Sequence, residues 1–130
     1  LEKLQKRATE EKLNIKTVCI DLNYWEAKEK YDVIVASYLH MSKNEREGLF
    51  KNIENSLNIN GYFVAEFFST KQIKYSSGGP KDLDLLYTIE DFEKYFNSCK
   101  KEIREEIVVL DEGVGHQGEA SVIRVVIQKV

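Results

Sequence analysis

The chain has two histidines, and both stand where chemistry is commonly done. His40 follows Tyr31-Asp32-Val33-Ile34-Val35-Ala36-Ser37 after only Tyr38 and Leu39. That run is nearly all apolar, as in a parallel strand covered on both faces. Ligands of open α/β sheets bind outside the carboxyl ends of the strands. An imidazole placed there can donate, accept or shuttle a proton near neutral pH. The same position also suits a solvated loop histidine, or one that caps the next helix. His116 lies within Gly113-Val114-Gly115-His116-Gln117-Gly118, which formally matches G-x-G-x-x-G. The dinucleotide fingerprint must open a helix, so that the helix N-terminus can hold a pyrophosphate. Here the sequel Ser121-Val122-Ile123-Arg124-Val125-Val126-Ile127 reads as strand. The motif is therefore read either as a flexible hairpin loop or as a loop that folds over a ligand site and presents His116.

Other residues offer single functional groups. Asp21 closes the β-branched run Ile15–Leu22 one residue from its end, as an acceptor for a ligand amine or hydroxyl or as a turn former. Arg46 falls in the first turn of a helix, where the dipole disfavours a cation. That placement points to an anionic partner, against the commoner surface arginine. Tyr24 and Trp25 would wall a planar ligand or fill the core. Ser76-Ser77-Gly78-Gly79-Pro80 centres a long connection, Ser69 to Tyr87, of the kind that serves as a lid or binding loop. Cys19 and Cys99 cannot form a disulfide framework and read as buried or inert thiols in a reducing cytosol. No Cys/His cluster has metal spacing, and no serine or cysteine stands in a nucleophile elbow.

The elements that must position these residues follow from periodicity. Residues 1–13 carry Leu1, Leu4, Ala8 and Leu13 on an amphipathic helical pattern. Ile15–Leu22 reads as a strand, and so does Tyr31–Ser37. Ser42 and Glu45 form a capping-box pattern ahead of the stripe Leu49, Phe50, Ile53, Leu57. Asn60-Gly61 is read as that helix's end, followed by the strand Tyr62–Phe68. Thr88–Asp91 caps a further helix striped by Ile89, Phe92, Tyr95 and Phe96. Glu102–Leu110 and Ala120–Lys129 are two strands with no helical pattern between them, hence an antiparallel hairpin. Strands alternating with helices give an α/β fold, and the terminal hairpin makes the sheet mixed.

The 130 residues suffice for a single domain, 1–130, with a real core. Net charge is -3, which argues against a nucleic-acid binder working by phosphate neutralisation. No apolar run approaches the roughly 18 residues that span a bilayer.

Taken together, Asp21-Leu22, Tyr31 to Met41, Asn60-Gly61-Tyr62-Phe63-Val64 and the terminal hairpin resemble the second part of a class I S-adenosylmethionine-dependent methyltransferase. The tellurite-resistance (TehB-like) branch is the more similar one. Its pieces are His40-Met41 with Arg46, the stretch Gly78-Gly79-Pro80-Lys81-Asp82-Leu83-Asp84-Leu85-Leu86, and Leu110-Asp111-Glu112-Gly113 followed by His116-Gln117-Gly118. The resemblance implies a Rossmann-like sheet ordered 3-2-1-4-5-7-6, of which this chain supplies strands 3 to 7, with strand 7 antiparallel. It implies S-adenosylmethionine as cofactor and a small-molecule methyl acceptor. Asp21 and Leu22 would lie near the cofactor's adenine. Ser37 and Tyr38 would border the cofactor, and His40 and Arg46 would act on the acceptor. Gly78, Gly79 and His116 would form the substrate loops over the same face.

The family's glycine-rich loop and ribose-binding acid would precede Leu1, in at least two βα units of roughly 60 residues or more. The chain is thus expected to be a C-terminal portion that grips the cofactor weakly when alone. It is also expected to expose Tyr31–Ser37 as a sheet edge that recruits a second chain, making a homo-oligomer. The alternative reading is a non-catalytic α/β module that assembles with a partner. A nucleotide-dependent oxidoreductase is the weakest reading, because no fingerprint loop links a strand to a helix.

Overall fold

The computed structural model describes residues 1–130. Two helices and four strands follow in the order α1 (Glu2–Glu10), β1 (Tyr31–Ser37), α2 (Lys43–Ser56), β2 (Leu57–Phe68), β3 (Cys99–Asp111) and β4 (Gln117–Lys129). The strands form one sheet ordered β1-β2-β4-β3. β1 and β2 are parallel, and β4 runs antiparallel to both β2 and β3. The sheet is therefore mixed, with β1 and β3 as its edges. No helix is long and apolar enough to cross a membrane.

α2 begins where the sequence places it. Glu45 accepts the Ser42 amide at 3.0 Å, completing the capping box. Leu49, Phe50 and Ile53 are buried against the sheet. Phe50 is the hub of the core, with Phe63, Phe67, Phe92, Tyr95 and Phe96 at centroid distances of 5.0 to 6.3 Å. Inward-facing Phe63, Ala65 and Phe67 of β2 and Ile123, Val125 and Ile127 of β4 complete it. The alternation in both strands puts one face on this core.

Several expectations are corrected. Ile15–Leu22 makes no strand, so four strands form rather than five. Its β-branched residues fit a pleated surface only where a partner strand exists, and the free edge of β1 does not receive them. Leu22–Tyr24 instead turns as a 3-10 segment, capped by Asp21. Of the N-terminal apolar stripe only Ala8 is buried. Asn60-Gly61 does not end α2, which stops at Ser56 and passes straight into β2. The pair marks an irregularity in β2, where register shifts between Tyr31–Leu57 and Val33–Tyr62. A Cβ on Gly61 would stand 2.8 Å from the Asn58 carbonyl oxygen and 3.0 Å from that of Asp32, so the backbones meet there. The helix expected at 88–96 is a 3-10 turn, Glu90–Glu93, in which Thr88 and Asp91 cap each other.

β1 is covered on one face only. Val33 is 54% and Val35 69% exposed, and Tyr62 and Val64 of β2 are exposed beside them. Further across the same face Arg124 bridges Glu66 and Glu106, and Arg104 reaches Glu102 and Glu106. Cys19 is exposed rather than buried. Cys99 is half-buried, and burial followed by Glu54 pushes its thiol up.

Removing the Phe50 ring leaves a cavity that five neighbouring rings cannot fill without moving. Phe50→Ala is expected to cost about 3–5 kcal/mol, read as a lowered urea midpoint with the slope unchanged.

Candidate functional site

Parallel pairing brings the carboxyl ends of β1 and β2 to one side of the sheet. The antiparallel hairpin returns its loop, Glu112 to His116, to that same side, because Phe68 at the end of β2 pairs with Val122 near the start of β4. The connection after β2 crosses there too. Five of the expected residues meet on this face: Tyr38, His40, Gly78, Gly79 and His116.

Phe68 is their common floor. It is buried, and the His40 ring stacks on it at 6.1 Å with 14° between planes. Tyr38 packs on it at 4.8 Å. Gly79 lies against it so closely that a Cβ would stand 2.8 Å from Phe68 Cδ2. Gly78 touches His116 in the same way, at 2.7 Å from Cδ2 for an added Cβ. Both glycines hold φ values that L side chains rarely adopt, +129 and +84. The two glycines are thus set by contact with the site's own rings. Burial first, and then neighbouring His116, lowers the His40 pKa below the ordinary value of 6.5. His40 is therefore a neutral proton acceptor at pH 7.

The Gly78–Gly79 loop is pinned by a residue that the sequence did not single out. Gln72 is fully buried. Its Oε1 accepts the Ser121 amide at 2.8 Å, and its Nε2 donates to Ser77 Oγ and to the Gly78 carbonyl, each at 3.0 Å. Ser77 donates onward to the Glu119 carbonyl at 2.6 Å, and Ser69 and Ser121 share a hydroxyl hydrogen bond at 2.8 Å. No buried side-chain polar atom is left unpaired. The loop is a fixed wall rather than a swinging lid.

Arg46 does not join the imidazoles. It is 1% exposed. Its Nε donates to the Met41 carbonyl at 3.0 Å, Nη1 to Asp91 at 3.2 Å, and Nη2 to the Asp84 and Leu86 carbonyls at 2.9 and 2.7 Å. Its guanidinium carbon also sits 3.7 Å over the Tyr87 ring. Four of its five N–H donors are engaged within the fold and the side chain is buried, so its helix position reflects internal partners. Tyr87 in turn donates its hydroxyl to the Leu39 carbonyl at 3.1 Å. Burial pushes that hydroxyl's pKa up to about 12, so it remains a donor. The carbonyls on both sides of His40 are thus held, by Tyr87 and by Arg46.

The cofactor residues are more dispersed. Asp21 is exposed, and its Oδ1 accepts the Asn23 amide at 2.9 Å. Leu22 and Trp25 pack with Leu49 and Ile53 around an apolar cavity of about 200 Å³. Tyr24 is exposed. Ser37 is exposed on the open face, in a groove of about 290 Å³ shared with Val35, Val64, Glu66 and Arg124. No group of three or more His, Cys, Asp or Glu is placed to hold a metal ion.

No protein-family model matches the chain, and no curated protein matches it. Solved structures do. TehB from Haemophilus influenzae superposes with a TM-score of 0.74 at 18% identity, over 98% of this chain and 45% of that one. An S-adenosylmethionine-dependent methyltransferase from Clostridium acetobutylicum gives 0.70 at 13% identity, over 98% and 70%. The N-methyltransferase NodS from Bradyrhizobium japonicum, in complex with S-adenosyl-L-homocysteine, gives 0.66 at 9%, over 97% and 61%. The fold is thus the α/β, Rossmann-like fold of methyltransferases, with the mixed sheet and terminal hairpin read from the sequence. The chain spans less than half the length of the TehB structure.

Gln72→Leu strands the Ser121 amide and the Gly78 carbonyl, at about 1–3 kcal/mol for each group left unsatisfied, while the Ser77 hydroxyl keeps the Glu119 carbonyl. The expected result is fast hydrogen exchange at the Ser121 amide, with the exchange of β1 amides unchanged.

Proposed function

We propose that this chain is part of an S-adenosylmethionine-dependent methyltransferase acting on a small-molecule acceptor. The reading is carried by one observation: His40 and His116 converge with Gly78–Gly79 at the carboxyl ends of parallel strands, on a sheet of the methyltransferase type.

The cofactor would draw on residues from both sides of the β1 edge. Ser37 is open to solvent in a groove with Glu66 and Arg124, and Tyr38 follows it directly. Asp21 offers an exposed carboxylate, and Leu22 places the turn beside the core. These 130 residues hold no glycine-rich turn between a strand and a helix. When bound, S-adenosylmethionine supplies an electrophilic methyl group. The chain's residues would position the acceptor and take its proton. Phe68 gives a flat apolar floor, the pinned Gly78–Gly79 loop gives a wall, and His40 accepts the proton that the acceptor's nucleophilic atom must lose. His116, its neighbour across the loop, takes part in orienting the acceptor. With Arg46 spent inside the fold, the site has no guanidinium for an oxyanion. It favours an acceptor that arrives protonated, an amine, hydroxyl or thiol, and a role in tellurite resistance rests on the sequence resemblance alone.

A second reading, a module that assembles with a partner chain, is favoured by the free edge of β1 and its exposed Val33 and Val35. Antiparallel pairing of β1 with its own copy about Ile34 would set Asp32 against Ala36 and place no like charges opposite one another.

Calorimetry on the 130 residues is expected to show weak binding of S-adenosylmethionine or none, and low-micromolar binding would overturn that. In a longer chain that carries these residues and binds the cofactor, His40→Ala is expected to lower kcat about a hundredfold or more with cofactor affinity kept. Asp21→Ala is expected to weaken cofactor binding. Unchanged turnover in the His40 variant would sink the methyl-transfer mechanism. Because burial and His116 lower the His40 pKa, the loss of the base on acidification is expected at a lower pH than for an ordinary imidazole. Light scattering tests the second reading: association through β1 is expected to disappear in Val35→Lys, and a monomer across micromolar concentrations would refute it.

A further inference from the structure

Glu66 is the one acid within the apolar strand Tyr62–Phe68. It pairs with Ser37 of β1 on one side and with Arg124 of β4 on the other. One of its carboxylate oxygens accepts a hydrogen bond from the Tyr38 hydroxyl. The other accepts Arg124 Nε at 2.8 Å, and Arg124 Nη1 donates onward to Glu106 at 2.9 Å. The backbone of Glu66 is engaged as well, since its carbonyl accepts the Tyr38 amide at 2.8 Å. A single residue therefore holds Tyr38 at both its amide and its hydroxyl.

Tyr38 is where β1 turns away from the sheet. Its φ is +49, in the left-handed region that costs a non-glycine residue about 1–2 kcal/mol. Such a conformation persists only where the surroundings enforce it. Here the enforcement comes from Glu66 and from Phe68, on which the Tyr38 ring lies at 4.8 Å. The residue two positions on is His40, stacked on the same Phe68. A left-handed residue at a strand's end fixes the direction in which the next residues leave.

We propose that Glu66 is a positioning residue for His40: by fastening Tyr38 in its left-handed turn against Phe68, it sets the direction in which His40 presents its imidazole beside His116. Arg124, itself held by Glu106, aims the Glu66 carboxylate. The titratable groups facing Tyr38 are Glu66, Glu112 and Arg124, and the one facing His40 is His116. Burial and the Glu66 hydrogen bond hold the Tyr38 hydroxyl well above the ordinary phenol range, so it donates across the whole neutral range. The inference rests on the reading of His40 as the proton acceptor. Its test reads the placement of the ring and not turnover, so the two fail separately.

The chain has only two histidines, so His116→Gln assigns the ring C–H signals in an NMR spectrum without further labelling. Those signals are followed against pH in the unsubstituted chain, Tyr38→Phe, Glu66→Ala and Glu66→Gln. Tyr38→Phe and Glu66→Ala are each expected to move the His40 ring protons as they leave the Phe68 ring current. Each is also expected to raise the His40 midpoint toward that of free imidazole, because less of the ring is buried. The double variant is expected to add nothing to either alone. Glu66→Gln keeps an acceptor for the hydroxyl and is expected to restore most of the shift. If His40 signals and midpoint stay unchanged in Tyr38→Phe and Glu66→Ala while the melting temperature falls, Glu66 is a stabilising residue only and the proposal is overturned. Should Glu66→Ala fail to fold, Tyr38→Phe decides by itself, since it removes a single oxygen.

Discussion

The structure depends on a buried cation. Arg46 enters the protein interior from the first turn of α2 with 1% of its surface exposed, so every donor must find a partner or carry a heavy desolvation cost. Four of its five N–H donors find one, in segments far apart in sequence: the loop after β1 through Met41, and the stretch through Asp84, Leu86 and Asp91. Tyr87, between these partners, stacks under the guanidinium, and its backbone bonds to Phe68 and Thr70 at the end of β2. One side chain thus fastens α2, the loop carrying His40 and the long connection after β2 into one body. Replacing a buried pair by apolar residues is often neutral, whereas removing one partner is costly. The arrangement therefore contributes more to geometric uniqueness than to net stability.

That geometry is what the carboxyl-end face uses. His40 is exposed and sits in a loop, a combination that usually brings mobility. The backbone around it is nonetheless tied at Leu39 by Tyr87, at Met41 by Arg46 and at Tyr38 by Glu66. Opposite it, Gln72 and three serines fix the Gly78–Gly79 loop to the start of β4. An imidazole used as a proton acceptor gains from being held close to its working geometry before the substrate arrives. Here that holding is done by buried polar groups within the fold.

Much of this was legible in the sequence where the signal is local. The apolar runs of β1 and β2, the capping box of α2 and the terminal hairpin follow from periodicity and turn chemistry; β1 lies where it was read, while β2, β3 and β4 begin three to five residues earlier, with Leu57 opening β2 rather than ending the helical stripe. The place of His40 at a strand's carboxyl end follows from the pattern, and its convergence with Gly78, Gly79 and His116 was implied by the methyltransferase resemblance. What failed was non-local. Ile15–Leu22 has the composition of a strand but no partner to pair with, and strand propensity measures fit to a neighbour. Arg46 was weighed between an anionic partner and a surface cation because three of its four partners stand 38 to 45 residues away. Glu66 and Arg124 did leave a trace, each being a lone charge inside an apolar strand, which is the pattern of a cross-strand ion pair. Gln72 left none, since a glutamine in a polar connection looks the same whether buried or solvated.

The open face of the sheet and the candidate site share one strand, and this couples them. Val33, Val35 and Ser37 alternate along β1 on the uncovered face, and Ser37 lines the groove that Glu66 and Arg124 complete. A polypeptide that buried Val33 and Val35 would also close this groove from one side. It would remove water from around Glu66 and Arg124, and a charge pair in a drier setting is held more tightly. Through Tyr38 that constraint reaches His40. On the proposed reading of His40, whatever covers β1 would act on the chemistry as well as on the sheet, because Tyr38, which turns the chain toward the imidazole, is anchored on the face being covered.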